Sequence, residues 1–123
     1  MAQLAIKGHA TRGKEVIELL EMLGGKNEED YVGGETTWLY TINNGIIDCN
    51  CPSGKYIIYT IEEFLDKFPY KVGDNVLYKV YGICSKIKTM HWNVEMEHVF
   101  YRLDSNKLFV ATEDELKAIK EQL

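Results

Sequence analysis

The chain has 123 residues, 46% of them apolar, which is enough to bury one core without disulfides or metals, so we expect one domain or two small subdomains. A formal net charge of −5 argues against a general binder of duplex nucleic acid, because such proteins need a broad basic face. Since no apolar run is long enough for a signal peptide or a membrane span, we expect a cytoplasmic protein.

The first predicted elements are a strand at residues 3–7 and a helix. Thr11 has the side chain of an N-cap, and glycines at 24 and 25 end the helix. The apolar stripe of the helix is Val16, Leu19, Leu20 and Leu23, widened by Ile17 and Met22.

Three short strands follow, at residues 36–42, 46–51 and 55–59. The first two flank the turn Asn43-Asn44-Gly45, so we expect a three-stranded antiparallel β-meander. Thr60 and Glu63 then form a capping box that begins a short second helix, and Pro69 ends it.

The rest of the chain predicts strands at 76–80, 83–92, 98–103 and 108–110, then a capping box at 112–115 and a helical tail with Leu116 and Ile119. This pattern is typical of a small bent antiparallel sheet or an SH3-like barrel. The predicted fold class is α+β, with residues 1–69 and 70–123 as two halves packed in one compact unit.

The opening of the first helix has unusual charges. Arg12 and Lys14 lie where the helix dipole disfavours cations, with only Glu15 opposing them, and glycines at 8 and 13 allow a close approach to the backbone. A phosphate or another small anion suits this arrangement. Alternatively, the two cations point to solvent and Thr11 simply caps the helix. The candidate anion-binding residues are His9, Thr11, Arg12, Gly13 and Lys14.

A second cluster lies on the predicted strands. His91 and Asn93 share one face, Arg102 lies on the pairing strand, and Trp92 points to the other face, as a core residue. Aromatic, amide and guanidinium groups suit a nucleobase with its phosphate, although aromatic strand residues also serve packing or oligomer contacts. Trp38 and Tyr40, which alternate with Leu39, are further candidate ligand-binding residues.

No motif indicates catalysis. The nucleophile-elbow, phosphate-loop and zinc-protease patterns are missing from the sequence, and its three histidines are scattered. Cys49, Cys51 and Cys84 are expected to be reduced thiols, because no second cysteine pair completes a zinc site. We therefore predict a protein that is not an enzyme and has no cofactor or metal.

Two stretches carry a family resemblance: Lys-Gly-His-Ala-Thr-Arg-Gly-Lys-Glu, within residues 7–25, and Glu-Glu-Phe-Leu-Asp-Lys-Phe-Pro-Tyr-Lys-Val-Gly-Asp, within residues 60–76. In both, the chain resembles short proteins of phages and prophages of gut Firmicutes. The resemblance implies a phage origin. By analogy it suggests a sponge for nucleotide immune signals, like the Thoeris and CBASS anti-defence proteins. Such sponges are typically oligomers.

The leading functional hypothesis is an anti-defence protein that sequesters a small phosphate-containing nucleotide, such as a cyclic ADP-ribose isomer or a cyclic oligonucleotide, without cleaving it. The alternative is a protein-interaction module that docks a host protein through the SH3-like half, and a weaker third is an RNA-binding accessory protein. We also expect a homo-oligomer, because the predicted meander leaves an edge strand to pair.

Overall fold

The computed structural model describes residues 1–28, 37–49, 53–105 and 109–119 and shows the predicted α+β fold. The predicted strands 36–42, 46–51 and 108–110 each extend partly outside these residues. The helices are α1 (Gly13–Met22) and α2 (Ile61–Lys67). The strands are β1 (Gln3–His9), β2 (Thr37–Asn43), β3 (Ile46–Asp48), β4 (Tyr56–Thr60), β5 (Asn75–Tyr78), β6 (Ile83–Asn93), β7 (His98–Leu103), β8 (Val110–Ala111) and β9 (Leu116–Ala118).

The first sheet has the strand order β3-β2-β1-β4, with β1 antiparallel to β2 and parallel to β4. The expected antiparallel meander is therefore wrong. β2 and β3 do form the predicted hairpin, but β1 lies between β2 and β4. The reason is burial: Leu4, Ala5 and Ile6 are at most 2% exposed, and a strand that is apolar on both faces is most stable at the centre of a sheet.

Helix α1 packs on this sheet through the apolar stripe that its sequence predicts. Val16 and Leu20 are fully buried, and Leu19 and Leu23 nearly so. The helix ends before Gly24, which has a φ of +93°, so the predicted glycine stop is confirmed.

Helix α2 begins with the predicted capping box. The N–H of Glu63 donates to Thr60 Oγ1 at 3.2 Å, and the N–H of Thr60 donates to Glu63 Oε1 at 3.0 Å. Phe64 and Phe68 are fully buried, and each ring lies 6.1 Å from the ring of Tyr59 on β4. The helix thus packs against the strand that precedes it.

The second sheet has the strand order β8-β7-β6-β5-β9 and is open, so the SH3-like barrel is wrong and the alternative of an antiparallel sheet holds. Its long strand β6 pairs with β5 through Ile83–Lys86 and with β7 beyond that point. The pairing with β7 has a register shift between Ile87 and Thr89, and such bulges bend a strand.

The C-terminal segment is a strand instead of the predicted helical tail. The capping box is present, since the N–H of Thr112 donates to Glu115 Oε1 at 3.0 Å, but it begins only a 3-10 turn at Glu113–Glu115. The chain then pairs antiparallel with β5, with Leu116 opposite Tyr78. The edge of β5 and the burial of Leu116 override the local helix signal.

The halves 1–69 and 70–123 contribute to one buried core. The ring of Phe68 lies 6.2 Å from that of Trp92, across the junction at Pro69. At the start of β1, the N–H of Ala2 donates to the carbonyl of Val94 at 3.3 Å, and Trp92 Nε1 donates to the carbonyl of Ala2 at 3.0 Å. These contacts fix β6 against β1, which decides where the candidate site residues lie.

Candidate functional site

The helix opening is capped by His9, so the expectation that Thr11 is the N-cap is wrong. The N–H of Thr11 donates to His9 Nδ1 at 3.2 Å, and Thr11 Oγ1 lies 2.8 Å from the same nitrogen. Residues Ala10–Arg12 form a 3-10 turn, and α1 begins only at Gly13. Imidazole can accept a backbone hydrogen bond as a hydroxyl does, and α1 follows the 3-10 turn one residue later than an N-cap at Thr11 would place it.

Both glycines at the helix opening are explained by packing. A Cβ on Gly8 would lie 2.8 Å from Cγ2 of Val16, and a Cβ on Gly13 would lie 3.2 Å from the hydroxyl of Tyr40. The close approach to the backbone that the sequence assigned to a ligand is therefore made by side chains of the protein itself.

Arg12 is held by two carboxylates. Its Nη2 lies 3.0 Å from Oε2 of Glu15, and its Nη1 is ion-paired with Glu62 at the start of α2. Arg12 lowers the pKa of both glutamates, chiefly through these hydrogen bonds. A phosphate at this position would have to compete with two negative charges, which weakens the anion-binding interpretation.

Trp38 and Tyr40 have different surroundings. Tyr40 is 2% exposed and belongs to the core beside Gly13, so the expectation that it lines an accessible face is wrong. Trp38 lies opposite Gly8 in the sheet and is 40% exposed. Lys14 and Thr11 are also exposed, so these two residues and Trp38 remain accessible at this end of α1.

The second predicted cluster lies on β6 and β7. His91 is exposed opposite Phe100, with the two rings 5.7 Å apart, and Arg102 is exposed two residues further along β7. Asn93 has a local role, because its Oδ1 accepts a hydrogen bond from the N–H of Met96 at 2.8 Å. Trp92 is half-buried and packs against the core, in line with the prediction.

These two clusters do not form one site. The end of β6 contacts Ala2, at the start of β1. The helix opening lies at the other end of β1, after His9. A strand of this length spans about 20 Å, so a small nucleotide bound at Arg12 and Lys14 would not reach His91.

The structure contains a groove that the sequence did not predict, which we call the α1 groove. It consists of two depressions of about 300 Å³ and about 290 Å³ that share Met22. One is lined by residues of α1 and α2 and the other by residues of α1 and β6. The lining residues are Glu15, Glu18, Leu19, Glu21, Met22, Gly24, Ile61, Leu65, Lys71, Val72, Lys88, Thr89 and Met90.

The groove has an apolar floor and charged walls. Leu19, Ile61 and Met90 are buried in its floor, and Met22 and Leu65 are half-buried there. Glutamates of α1 form one wall, and two lysines lie on the opposite side. The apolar stripe of α1 includes Met22, so the sequence indicates one side of the groove. The opposite wall forms only when both halves pack together, and local sequence patterns do not predict that packing.

The described residues offer no evident metal centre. Among them, no group of three His, Cys, Asp or Glu side chains lies close enough to hold a metal ion. Cys49 is half-buried and Cys84 is exposed, whereas Cys51 lies outside the described residues. No helix within the described ranges is long and apolar enough to cross a membrane.

No family model, curated protein or solved structure matches this chain. Its fold and the geometry of its surface therefore carry the functional argument.

Proposed function

We propose that the chain is a non-catalytic binding protein whose α1 groove holds an apolar, positively charged segment of a partner protein. The observation that carries this proposal is the apolar floor beside a wall of glutamates. The groove is lined by α1, α2 and β6, so both halves of the chain would contribute to binding.

The dimensions of the groove favour a short segment. It runs beside α1, whose ten residues span about 15 Å, and its two depressions are each large enough for one or two side chains. An amphipathic segment of a partner commonly places its apolar side chains in such a floor.

The charges define the partner further. Glu18 and Glu21 are exposed, and neither has an ion-pair partner in the described part of the chain. The whole chain has a formal charge of −5, which attracts cationic partners and repels anionic ones. Lys71 and Lys88 on the opposite wall would orient the segment, with its basic side chains towards α1.

The test uses two short synthetic peptides, one of leucines and lysines in an amphipathic pattern and one in which glutamates replace the lysines. We expect the lysine peptide to shift the methyl NMR signals of Met22, Leu19 and Leu65 and the glutamate peptide to leave them unchanged. Glu18→Lys should weaken binding of the lysine peptide about threefold to tenfold, the scale of one exposed ion pair and its reversal.

The matched control is Glu95→Lys. Glu95 is also exposed but lies in the β6–β7 turn, outside the groove, and its substitution changes the net charge equally. Equal weakening by both substitutions would show that only the overall charge matters and would contradict the proposal. Methyl shifts confined to another face of the protein would contradict it as well.

A second candidate function is sequestration of a small phosphate-containing nucleotide, consistent with a phage anti-defence role. The observation that favours it is the exposure of Lys14 and Trp38 at one end of α1, with Arg12 half-buried two residues before Lys14. The ring would stack on the base and Lys14 would contact phosphate, although Glu15 and Glu62 oppose this.

This candidate is tested by titration calorimetry with cyclic ADP-ribose isomers and cyclic dinucleotides. Binding should be stoichiometric, weakened by Lys14→Ala and not by Lys7→Ala, and the nucleotide should be recovered intact after heating. Absence of binding, or conversion of the nucleotide, would contradict sequestration without affecting the α1 groove proposal.

A further inference from the structure

The strands of the second sheet carry charge of one sign only. Every charged residue within β5, β6, β7, β8 and β9 is a cation, and each is exposed. These residues are Lys86 and Lys88 on β6, Arg102 on β7 and Lys117 on β9. Within the described part of the chain, none of the four has an ion-pair partner. Although the formal charge of the chain is −5, this sheet therefore presents unpaired positive charge.

Three of these cations lie on one face of the sheet. Lys86, Arg102 and Lys117 each adjoin a residue of the buried core in their own strand, and successive strand side chains point to opposite faces. All three side chains therefore point away from the core. Lys88 differs, because it lies at the register shift of β6 and lines the α1 groove.

An aromatic pair lies on the same face. His91 is opposite Phe100, with the two rings 5.7 Å apart, and each residue also adjoins a buried neighbour in its strand. His91 is exposed and Phe100 is half-buried, so a planar group can reach the pair from solvent. Phe100 is two residues from Arg102 on β7, a separation of about 7 Å. We call Lys86, Arg102, Lys117, His91 and Phe100 the basic face.

We infer that the basic face binds a single-stranded nucleic acid. Lys117 and Arg102 lie three strand spacings apart and about five residues apart along the strands, so the cations span about 20 Å of the sheet. An extended chain of phosphates contacts cations spread over this distance, whereas a single phosphate does not. The bases of a single strand stack on accessible aromatic rings, and this stacking does not depend on sequence.

Two other polyanions fit the basic face less well. An acidic peptide pairs with the cations but has no base to stack on His91 and Phe100. A duplex keeps its bases stacked inside the helix, so it contacts the cations through its phosphates alone. The combination of cations with an aromatic pair therefore favours the single strand.

The acidic residues near the basic face do not cancel its charge. Asp104 is a neighbour of Lys86, because its N–H donates to the carbonyl of Lys86 at 2.8 Å. Glu95 and Glu97 lie in the β6–β7 turn, beyond the aromatic pair. Charges farther away than about 8 Å are largely screened at physiological ionic strength. None of the residues of the basic face lines the α1 groove, so this inference does not rest on the proposed function.

The first test is fluorescence anisotropy with a labelled oligothymidine of about ten nucleotides, measured over a range of salt concentrations. Three phosphate contacts predict a slope of log K against log salt of about −2, and loss of one contact should reduce the slope by about 0.7. Lys86→Ala, Arg102→Gln and Lys117→Ala should each weaken binding and reduce the slope in this way.

The matched control is Lys55→Ala. Lys55 is also exposed, but it lies directly before β4, in the first sheet, and its loss changes the net charge equally. This variant should bind like the wild type. Absence of binding by the wild type at about 50 mM salt, or equal weakening by Lys55→Ala, would overturn the inference.

The second test concerns the aromatic pair. Phe100→Leu should weaken binding about fivefold or more and leave the salt slope unchanged, because stacking is lost and the cations remain. In the wild type, the oligothymidine should shift the NMR signals of the Phe100 and His91 rings. If Phe100→Leu does not fold, these shifts decide alone, and unmoved signals would overturn the inference. Displacement of the oligothymidine by an equal concentration of duplex or polyglutamate would also overturn it, since the face would then bind any polyanion.

Discussion

Arg12 and Glu62 are fifty positions apart in the sequence, and their ion pair joins the 3-10 turn that precedes α1 to the first turn of α2. Arg12 also holds Glu15, so one guanidinium bridges two carboxylates. A cation at the positive end of a helix dipole is unfavourable alone, but here the protein supplies the negative charge that the sequence interpretation assigned to a ligand.

This bridge should make stability depend on pH. The folded state lowers the pKa values of Glu15 and Glu62. The stabilisation that these ion pairs give is therefore complete above the ordinary pKa value of 4.5, and it is lost as the pH falls through the lowered values. We expect Arg12→Gln to unfold at lower urea concentration than the wild type at about pH 7 and to differ little from it at about pH 2.

The control for this prediction is the other arginine of the chain. Arg102 is exposed, and the described residues include no ion pair for it, so Arg102→Gln should leave the urea midpoint and its pH dependence unchanged. A gap between Arg12→Gln and the wild type that stays constant on acidification would show that the two carboxylates are not responsible.

The contact between Gly8 and Val16 predicts a steric effect. Gly8→Ala places a methyl group 2.8 Å from Val16 Cγ2, so we expect a loss of about 1–3 kcal/mol of stability. Val16→Ala should remove the clash while leaving a cavity of its own, so the double substitution should cost less than the sum of the two. Additive losses in denaturant unfolding would mean that Gly8 is required for another reason.

Local signals predicted the local parts of the fold. The turn at 43–45 reverses the chain with positive φ at Asn44 and Gly45, and the capping box at Thr60 begins α2. The position of β1 between β2 and β4 depends on contacts between distant segments, so periodicity could not reveal it. The helix predicted after Thr112 is wrong for the same reason. Pairing with β5, a distant segment, determines the conformation of those residues.

The candidate site shows the same limit. The sequence shows the unusual charges at the helix opening and the nearby Glu15, but the second partner of Arg12 is Glu62, which is fifty positions away. The α1 groove needs Met22 from one helix, Leu65 from the other and Met90 from β6, so it exists only after both halves have packed.

Tyr101 predicts a loss of stability in alkali. Burial raises the pKa of its hydroxyl, and the nearby charge of Glu113 raises it further. The contribution of Tyr101 to the free energy of unfolding is complete below its ordinary pKa of 10. It decreases as the pH rises above that value, because the tyrosine ionises more readily in the unfolded chain than in the folded one.

Tyr101→Phe should therefore flatten the decrease in urea midpoint above pH 10. At neutral pH the substitution should change stability by less than about 1 kcal/mol, since the buried hydroxyl makes no hydrogen bond of ordinary geometry within the described residues. Tyr81 is exposed, so Tyr81→Phe is the control and should leave the decrease in urea midpoint above pH 10 unchanged. If Tyr101→Phe left that decrease unchanged, other tyrosines with raised pKa values, such as Tyr59 and Tyr78, would be its cause.

The C-terminal strand predicts unequal roles for Leu116 and Ile119, which a helical tail would place on one face. Leu116 is 3% exposed and pairs with Tyr78, whereas Ile119 is 40% exposed. Leu116→Ala should cost about 2–4 kcal/mol by leaving a cavity, and Ile119→Ala should cost less than about 1 kcal/mol. The measurement is urea unfolding of both variants beside the wild type. Similar losses for the two would favour the helix, since a helix face would bury both side chains, and would contradict β9.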